Sequence, residues 1–523
     1  MALVIQEPCN EAVIRAGRAT LPCSRAAGPW ILAATILGSS MAFIDASVAK
    51  LALPALQAEF NATVVDLQWV IEAYALFLAA LLLMGGALGD RYGRKRMYAA
   101  GVALFALASV WCGLASNIQQ LIIARGVQGV GAALLVPGSL AIISAAFAEN
   151  ERGAAIGTWS GFSALTSAVG PVIGGALIEH LSWRAVFFVN VPLAISVLYL
   201  VYRHVPESSE GTNSRGLDKW GATLATLGLG AVVYGLIESS FSTLGDPAVT
   251  VALAAGVVLL VIFGFVEMRV RNPMLPLALF RSRNFSGANL LTLFLYAALS
   301  GALFFFPLNL IQLQEYSATA AGAAMLPLVI IMFSLSRWSG GLLVRYGARL
   351  PLVLGPIIAA AGFVLFTLPG VGGSYWRTFF PAIVVLGFGL AISVAPLTTT
   401  VMNAVGKTHT GVASGINNAV ARIAALLAIA VLGLVMLHTF NSALDRQLAT
   451  VQISAEAKQS VDDQRIKLAG MTIPAGEDAV TRTALKEAVN GAFITAFRQV
   501  MSIAALLAFF SAVAAWLTIR DKT

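Results

Sequence analysis

Asp45, Glu72 and Arg125 are the residues whose types and positions invite chemistry, because each is ionisable and falls inside a long apolar run. Asp45 lies about nine residues, or roughly 13 Å at 1.5 Å per residue, from the far end of its run. Glu72 and Arg125 sit nearer the same end of theirs. A charge at the centre of a bilayer costs at least about 2.5–3.5 kcal/mol by insertion scales, so such groups face a partner or a water-filled cavity. Burial disfavours the charged form of a carboxyl group, and a neighbouring guanidinium favours it. A carboxyl group held between these influences can load and release a proton as its surroundings change. A second polar group, Asn417, Asn418 and Arg422, lies in a later apolar run, where it could bond across helices or shape a cavity. Lys50, Arg337 and Arg498 lie near run ends, where a long side chain can snorkel to water.

The elements that must position these residues are membrane helices. Of the 523 residues, 58% are hydrophobic and 11% charged, against about 45–50% and 25% in soluble chains. Apolar runs near the 20-residue length that spans a bilayer recur along the chain. Helices are predicted near residues 30–54, 66–88, 97–115, 118–146, 154–178, 184–203, 218–240 and 248–268. A second set is predicted near 286–310, 319–343, 350–369, 376–400, 411–437 and 493–518. The reading is an all-α membrane protein of fourteen transmembrane helices. Its parts are a tail at 1–29, a six-helix bundle at 30–203, and a linker at 204–284 carrying two additional helices. A second six-helix bundle covers 285–518, including a long polar external loop at 438–492, and a short tail covers 519–523.

Linker charge sets the expected orientation. Arg15, Arg18, Arg25, Arg91, Arg94, Lys95, Arg96, Arg203, Arg215, Lys219, Arg269, Arg271, Arg281, Arg283, Arg345, Arg349, Arg520 and Lys522 all fall on one side. Short linkers of the other side hold few cations beyond Arg184 and Arg377. The positive-inside rule then puts both termini in the cytoplasm of a multi-pass inner (plasma) membrane protein. No cleavable signal peptide is expected, since the first long apolar run begins near Trp30 and is too long for one.

The same distribution argues against nucleic acid as partner for the net charge of +8, because the cations sit in short gaps rather than on one patch. Cys9, Cys23 and Cys112 form neither a metal spacing nor a disulfide framework. Gly406-Lys-Thr408 looks like the end of a phosphate-binding loop, but Val401 stands where the first glycine belongs and the stretch joins two membrane helices. No nucleotide, cofactor, metal or enzymatic cluster is therefore expected, and energy should come from an ion gradient.

Glycine patterns add organisation. Gly86-Ala-Leu-Gly-Asp-Arg-Tyr-Gly93 aligns without a gap on Gly340-Gly-Leu-Leu-Val-Arg-Tyr-Gly347, an internal repeat in which Val344 replaces Asp90. Two related halves suit many secondary transporters. Gly89 and Gly93 permit a tight turn, and Asp90 stands at a helix end. Pro171 should bend its helix, while Gly170, Gly174 and Gly175 allow close approach of a neighbour.

These stretches carry a resemblance. Gly89-Asp-Arg-Tyr-Gly-Arg-Lys-Arg96, Arg125-Gly-Val-Gln-Gly-Val-Gly131 and Gly170-Pro-Val-Ile-Gly-Gly175 resemble the loop, fourth-helix and fifth-helix motifs of the major facilitator superfamily. Asp45-Ala-Ser-Val-Ala-Lys-Leu-Ala-Leu-Pro54 and Leu67-Gln-Trp-Val-Ile-Glu-Ala-Tyr74 look like the first two helices of its 14-spanner drug:proton antiporters. Lys50 stands where that group more often has Asn, and only some members have an acid at the position of Glu72. The resemblance implies the major facilitator fold, two six-helix bundles plus two inserted helices, working by alternating access. It implies a conformational latch at Gly89, Asp90, Arg91, Gly93 and Arg94, and an antiporter bend at Gly170, Pro171, Gly174 and Gly175 that closes the cavity from outside. Asp45 is then expected as principal proton carrier, Arg125 as the partner that tunes it, and Glu72 as a second acid that also attracts cationic cargo. The expected partners are protons, the lipid bilayer and a small-molecule substrate, by default an amphipathic, cationic drug or dye. A periplasmic adaptor protein is left open. The rival readings are an exporter of an endogenous metabolite, lipid or siderophore, and a non-transporting membrane sensor or scaffold.

Overall fold

A computed structural model describes residues 27–147, 149–208, 218–239, 246–270, 273, 275–405, 410–449, 453–472 and 478–520. The N-terminal tail with Arg15, Arg18, Arg25, Cys9 and Cys23, and also Arg215, Arg271, Lys522 and residues 406–408, lie outside the described residues, as do the side chains of Asp90, Arg337 and Val344. Among the described residues the regular structure is helical throughout, with no strand. Hydrocarbon offers no partner to a peptide group, so an apolar run must satisfy its own backbone, and a helix does so.

The first group of helices is α1 (Gly28–Phe60), α2 (Val64–Tyr92), α3 (Arg94–Leu114), α4 (Ile118–Ala146), α5 (Glu149–His180) and α6 (Ala185–His204). Two further helices follow, α7 (Lys219–Glu238) and α8 (Pro247–Arg269). The last group is α9 (Arg283–Leu313, closing in a π turn), α10 (Ala318–Ala323), α11 (Leu326–Tyr346), α12 (Arg349–Leu365), α13 (Phe379–Asn403), α14 (Thr410–Leu448), α15 (Ala455–Asp462) and α16 (Ala479–Thr518). Polar caps start the helices after outer turns. Thr63 and Asp66 form a reciprocal capping box on α2, with bonds of 2.8 and 3.1 Å. Asn117 accepts from the Gln120 N–H at 2.9 Å to start α4.

Each of the fourteen apolar segments coincides with helix, but among the described residues length and composition mark twelve as long and apolar enough to cross a membrane. The two outside that count are α5 and the 17-residue α12. The described residues thus give twelve candidate spans, and the expected count of fourteen is not reached by that measure.

In the first group α1 packs on α4, α5 and α6, and α4 on α2 and α3; in the last, α16 packs on α9, α12 and α14. The groups meet along α2–α14, α5–α10, α5–α11 and α1–α9. α7 and α8 pair closely: a Cβ on Gly256 would lie 2.8 Å from the Val232 nitrogen. The pair rests on α2 and α14, and α8 exposes Val251, Val257, Val258, Phe265 and Met268, as a lipid-facing helix should.

The sequence repeat is also a structural repeat. Gly93 (φ +110°) and Gly347 (φ +73°) end α2 and α11 in conformations that side chains resist. Their N–H groups donate to Gly89 O at 3.0 Å and Leu343 O at 3.1 Å. The Arg91 guanidinium lies 5.4 Å from the Tyr92 ring centre, and that of Arg345 lies 5.3 Å from the Tyr346 ring centre.

The expected loop at 438–492 is shorter than its polarity suggests. α14 runs on to Leu448 and α16 begins at Ala479, because residues 438–448 and 479–492 contain no proline to stop a helix. Between them α15 and a 3-10 turn (Arg465–Gly470) form a cap that buries Val461 and Leu468. The face bearing this cap, Asn61 and Glu179 is called outer here, following the linker charges.

Candidate functional site

Asp45, Arg125 and Gln128 meet in the middle of the first helical group, all with no exposed surface. Arg125 and Gln128 are three residues apart on α4, hence on one face. That face looks at Asp45 on α1. Arg125 Nη1 donates to Asp45 Oδ2 at 2.5 Å and to Gln128 Oε1 at 2.5 Å. Gln128 Nε2 donates to Asp45 Oδ1 at 2.8 Å and to Ser109 Oγ at 2.8 Å. Asn190 on α6 donates to the same hydroxyl at 3.3 Å. Arg125 Nε donates to the Val70 carbonyl at 3.0 Å, and its guanidinium lies 4.4 Å from the Tyr74 ring centre. Five helices thus hold one ion pair whose carboxylate oxygens both have donors. A buried pair of this kind balances desolvation against geometry, and removing one partner leaves an uncompensated charge.

Glu72 is different. It is fully buried on α2, and neither carboxyl oxygen has a hydrogen-bond partner among the described residues. Lys50, half-buried on α1, lies in electrostatic range of it. One turn outward on the same helix face, Gln68 donates to Ile429 O on α14 at 3.1 Å. Glu72 therefore sits just inside a contact between the two helical groups. The structure does not bring Glu72 into the Asp45 hydrogen-bond cluster.

The glycines of the proposed bend pack on two neighbours. A Cβ on Gly170 would lie 2.8 Å from Ser47 Oγ, and one on Gly174 would collide with Val48, so α5 lies against the stretch of α1 that carries Asp45. On the other side a Cβ on Gly175 would lie 2.5 Å from Ala318 O. Reciprocally, a Cβ on Gly322 would collide with Pro171 O. Gly322 was not singled out in the sequence. The spacing that could have shown it, a glycine four residues after Ala318, is too common to be noticed alone.

Of the loop Gly89, Asp90, Arg91, Gly93 and Arg94, the structure shows Gly93 against an acid of the same helical group. Glu207, buried after α6, accepts from the Lys95 N–H at 3.0 Å and the Arg96 N–H at 3.2 Å at the start of α3. Its carboxyl group also packs against Gly93 and lies 3.6 Å from the Arg96 guanidinium. Sequence reasoning missed Glu207, which sits in a linker with no pattern to single it out. In the last group, Asn417 donates to Asn289 Oδ1 at 3.1 Å and Thr292 Oγ1 at 2.7 Å. Asn418 is exposed and Arg422 half-buried on α14. Arg498 reaches the carbonyls of Leu368 and Pro369, at 3.2 and 3.3 Å, as a snorkelling residue would. Among the described residues no cluster of metal-ligating side chains is present.

Comparison places this geometry among known proteins. The family described as Major Facilitator Superfamily matches residues 35–429. Multidrug resistance protein Stp of Mycobacterium tuberculosis (strain CDC 1551 / Oshkosh) is 35% identical over 423 residues, 80% of this chain and 77% of that protein. The tetracenomycin C resistance and export protein of Streptomyces glaucescens is 30% identical over 516 residues, 96% of this chain and 94% of that protein. In fold the chain is similar to a bacterial homolog of the human lysosomal transporter Spinster in an inward-facing, unoccupied conformation. That likeness has TM-score 0.67 and 17% identity, and covers 96% of this chain and 100% of that one. It extends to the inward-open xylose transporter XylE from E. coli, with TM-score 0.57 and 13% identity, over 94% of this chain and 96% of that one. The chain therefore belongs to the Major Facilitator Superfamily, and its relatives include proteins named for resistance to drugs and antibiotics and for their export.

Proposed function

We propose that the protein exports small amphipathic compounds from the cytoplasm in exchange for protons. Asp45 is the principal proton carrier, Arg125 the group that holds its charged form, and Gln128 the bridge between them. The observation that carries this reading is the Asp45–Arg125–Gln128 cluster itself: a carboxylate with no exposed surface, held at 2.5 Å by a guanidinium in a membrane-spanning region. Small shifts of α1 against α4 would lengthen that bond and change the affinity of Asp45 for a proton. α5 packs against the same part of α1 and against α10 of the other group, so movement between the groups can reach Asp45. Glu72, buried with no donor among the described residues, is a second acid that can take a proton or a cationic group once the Gln68–Ile429 contact parts. Gly89, Asp90, Arg91, Gly93 and Arg94 act at the inner face, with both termini in the cytoplasm.

The test is substrate-induced proton movement in vesicles holding the purified protein. Wild type is expected to move protons on addition of a transported dye, and Asp45→Asn to remain in the membrane without doing so. Undiminished proton-driven transport by Asp45→Asn would refute the assignment. Proton movement with no drug-like compound, but with an endogenous metabolite, would favour the metabolite exporter.

A further inference from the structure

Arg422 is a cation well inside a membrane helix. Among the described residues it makes no hydrogen bond and no ion pair. An arginine at this depth is costly, and an intramembrane charge is retained for a pathway or a ligand.

Its position follows from helix register. Gln68 on α2 bonds Ile429 on α14, and a Cβ on Gly433 would run into the Gln68 side chain, so this face of α14 meets α2. Arg422 is seven residues, hence two turns and roughly 10.5 Å, inward of Ile429 on that face. Tyr74 lies at a matching depth on α2, and Arg422 is in electrostatic range of it. Along this face Gly433 and Ile429 are buried, Arg422 is half-buried and Asn418 is exposed. The space between the helical groups is therefore shut beyond Ile429 and widens inward, with Arg422 near its closed end. Two acidic side chains of the first helical group are already engaged or shut off. Asp45 is bonded to Arg125 and Gln128, and Glu72 lies toward the closed end with Lys50 in range.

We propose that Arg422 is the anchor for an acidic group on the cargo, a carboxylate or phenolate carried by an amphipathic body. This inference rests on the export reading above and narrows its cargo. A guanidinium presents a planar fork of donors that matches a carboxylate, and such charge-assisted bonds are stronger than neutral ones. Cargo entering from the inner face meets this cation before Glu72, so an acidic group is selected first. Asn418, on the same face of α14 one turn inward, stands beside the entering cargo.

Equilibrium binding decides the matter without requiring transport. The probes are fluorescein, an acidic dye, and ethidium, a cationic one, measured by fluorescence anisotropy on the full chain in nanodiscs at mildly alkaline pH. In Arg422→Gln, fluorescein affinity should fall about tenfold or more while ethidium affinity stays unchanged. Arg422→Lys should recover part of the loss. Absence of fluorescein binding to wild type, equal fluorescein binding by wild type and Arg422→Gln, or matching loss of both dyes would each overturn the inference. The export reading fails separately, if wild type binds a dye yet vesicles show no proton movement with either.

Discussion

Arg125 has its donors arranged around Asp45, Gln128 and the Val70 carbonyl, and it is among the largest fully buried side chains of the molecule. Removing the Asp45 charge alone strands a guanidinium in the core. Asp45→Asn is therefore expected to destabilise the protein by about 3–5 kcal/mol, the usual cost of breaking a buried pair from one side. Arg125→Gln should cost a similar amount, and the double variant much less than the sum, because each charge is removed with its partner. Thermal unfolding in detergent measures all three. Additive losses would show that the two side chains are not coupled. Transport should fail in every one of these variants, which separates the role of the pair in stability from its role with protons. The sequence made Asp45 and Arg125 legible, since charge inside an apolar run stands out. Gln128 was hidden although it lies in the quoted fourth-helix stretch, because a neutral amide carries no such signal. Ser109 and Asn190 were hidden because only the packing of α3 and α6 brings them near.

Helices meet where glycine allows it, and the α5–α10 crossing depends on two of them. Gly322→Val would push a side chain into the Pro171 carbonyl, and Gly175→Val would do the same to Ala318. Small residues at such crossings let backbones approach in a membrane. Each variant should hold α5 and α10 apart and admit an external thiol reagent to a cysteine placed just inside the crossing, at Ser47. Labelling no faster than in the Ser47→Cys parent would show that the crossing does not seal the outer face. At the other end of the bundle, Glu207 faces the N-terminus of α3, where a negative charge is favoured. Glu207→Gln should lower stability by about 1 kcal/mol, read as a lower unfolding temperature, since two amides and Arg96 lose a charged acceptor. An unchanged unfolding temperature would remove Glu207 from the account of the turn. The glycine turn itself was legible from the repeat, because Gly93 and Gly347 recur with the same Arg-Tyr before them. Its carboxylate partner was not, since a linker residue has no periodicity to place it.

At the scale of the whole molecule, the outer face is held shut by bonds that cross between the helical groups and the cap. Gln57 on α1 donates to Lys467 O of the cap at 3.1 Å and accepts from Gln312 at 2.6 Å. Lys467 Nζ donates to Asn61 Oδ1 at 2.5 Å. Thr319 donates its N–H to Glu179 across α10 and α5 at 3.3 Å. Hydrogen bonds from Thr319 and Ser317 hold the Glu179 carboxyl below its ordinary value of 4.5. A depressed value means that this bond contributes fully above that pH and is lost as pH falls below it, so it persists at neutral pH. None of this was legible in a polar stretch whose register is set only by what it lands on. Each bond of Gln57 contributes on the order of 0.5–1 kcal/mol, which shifts an equilibrium by about two- to five-fold. Gln57→Ala removes two bonds and Lys467→Ala one, so the first should favour outward opening more than the second. Distances between spin labels at the exposed positions Ala58 on α1 and Glu487 on α16 would report the populations of open and closed outer faces. If Gln57→Ala leaves that distribution as in wild type, the two Gln57 bonds do not restrain the outer face, and closure comes from the other contacts between the helical groups and the cap.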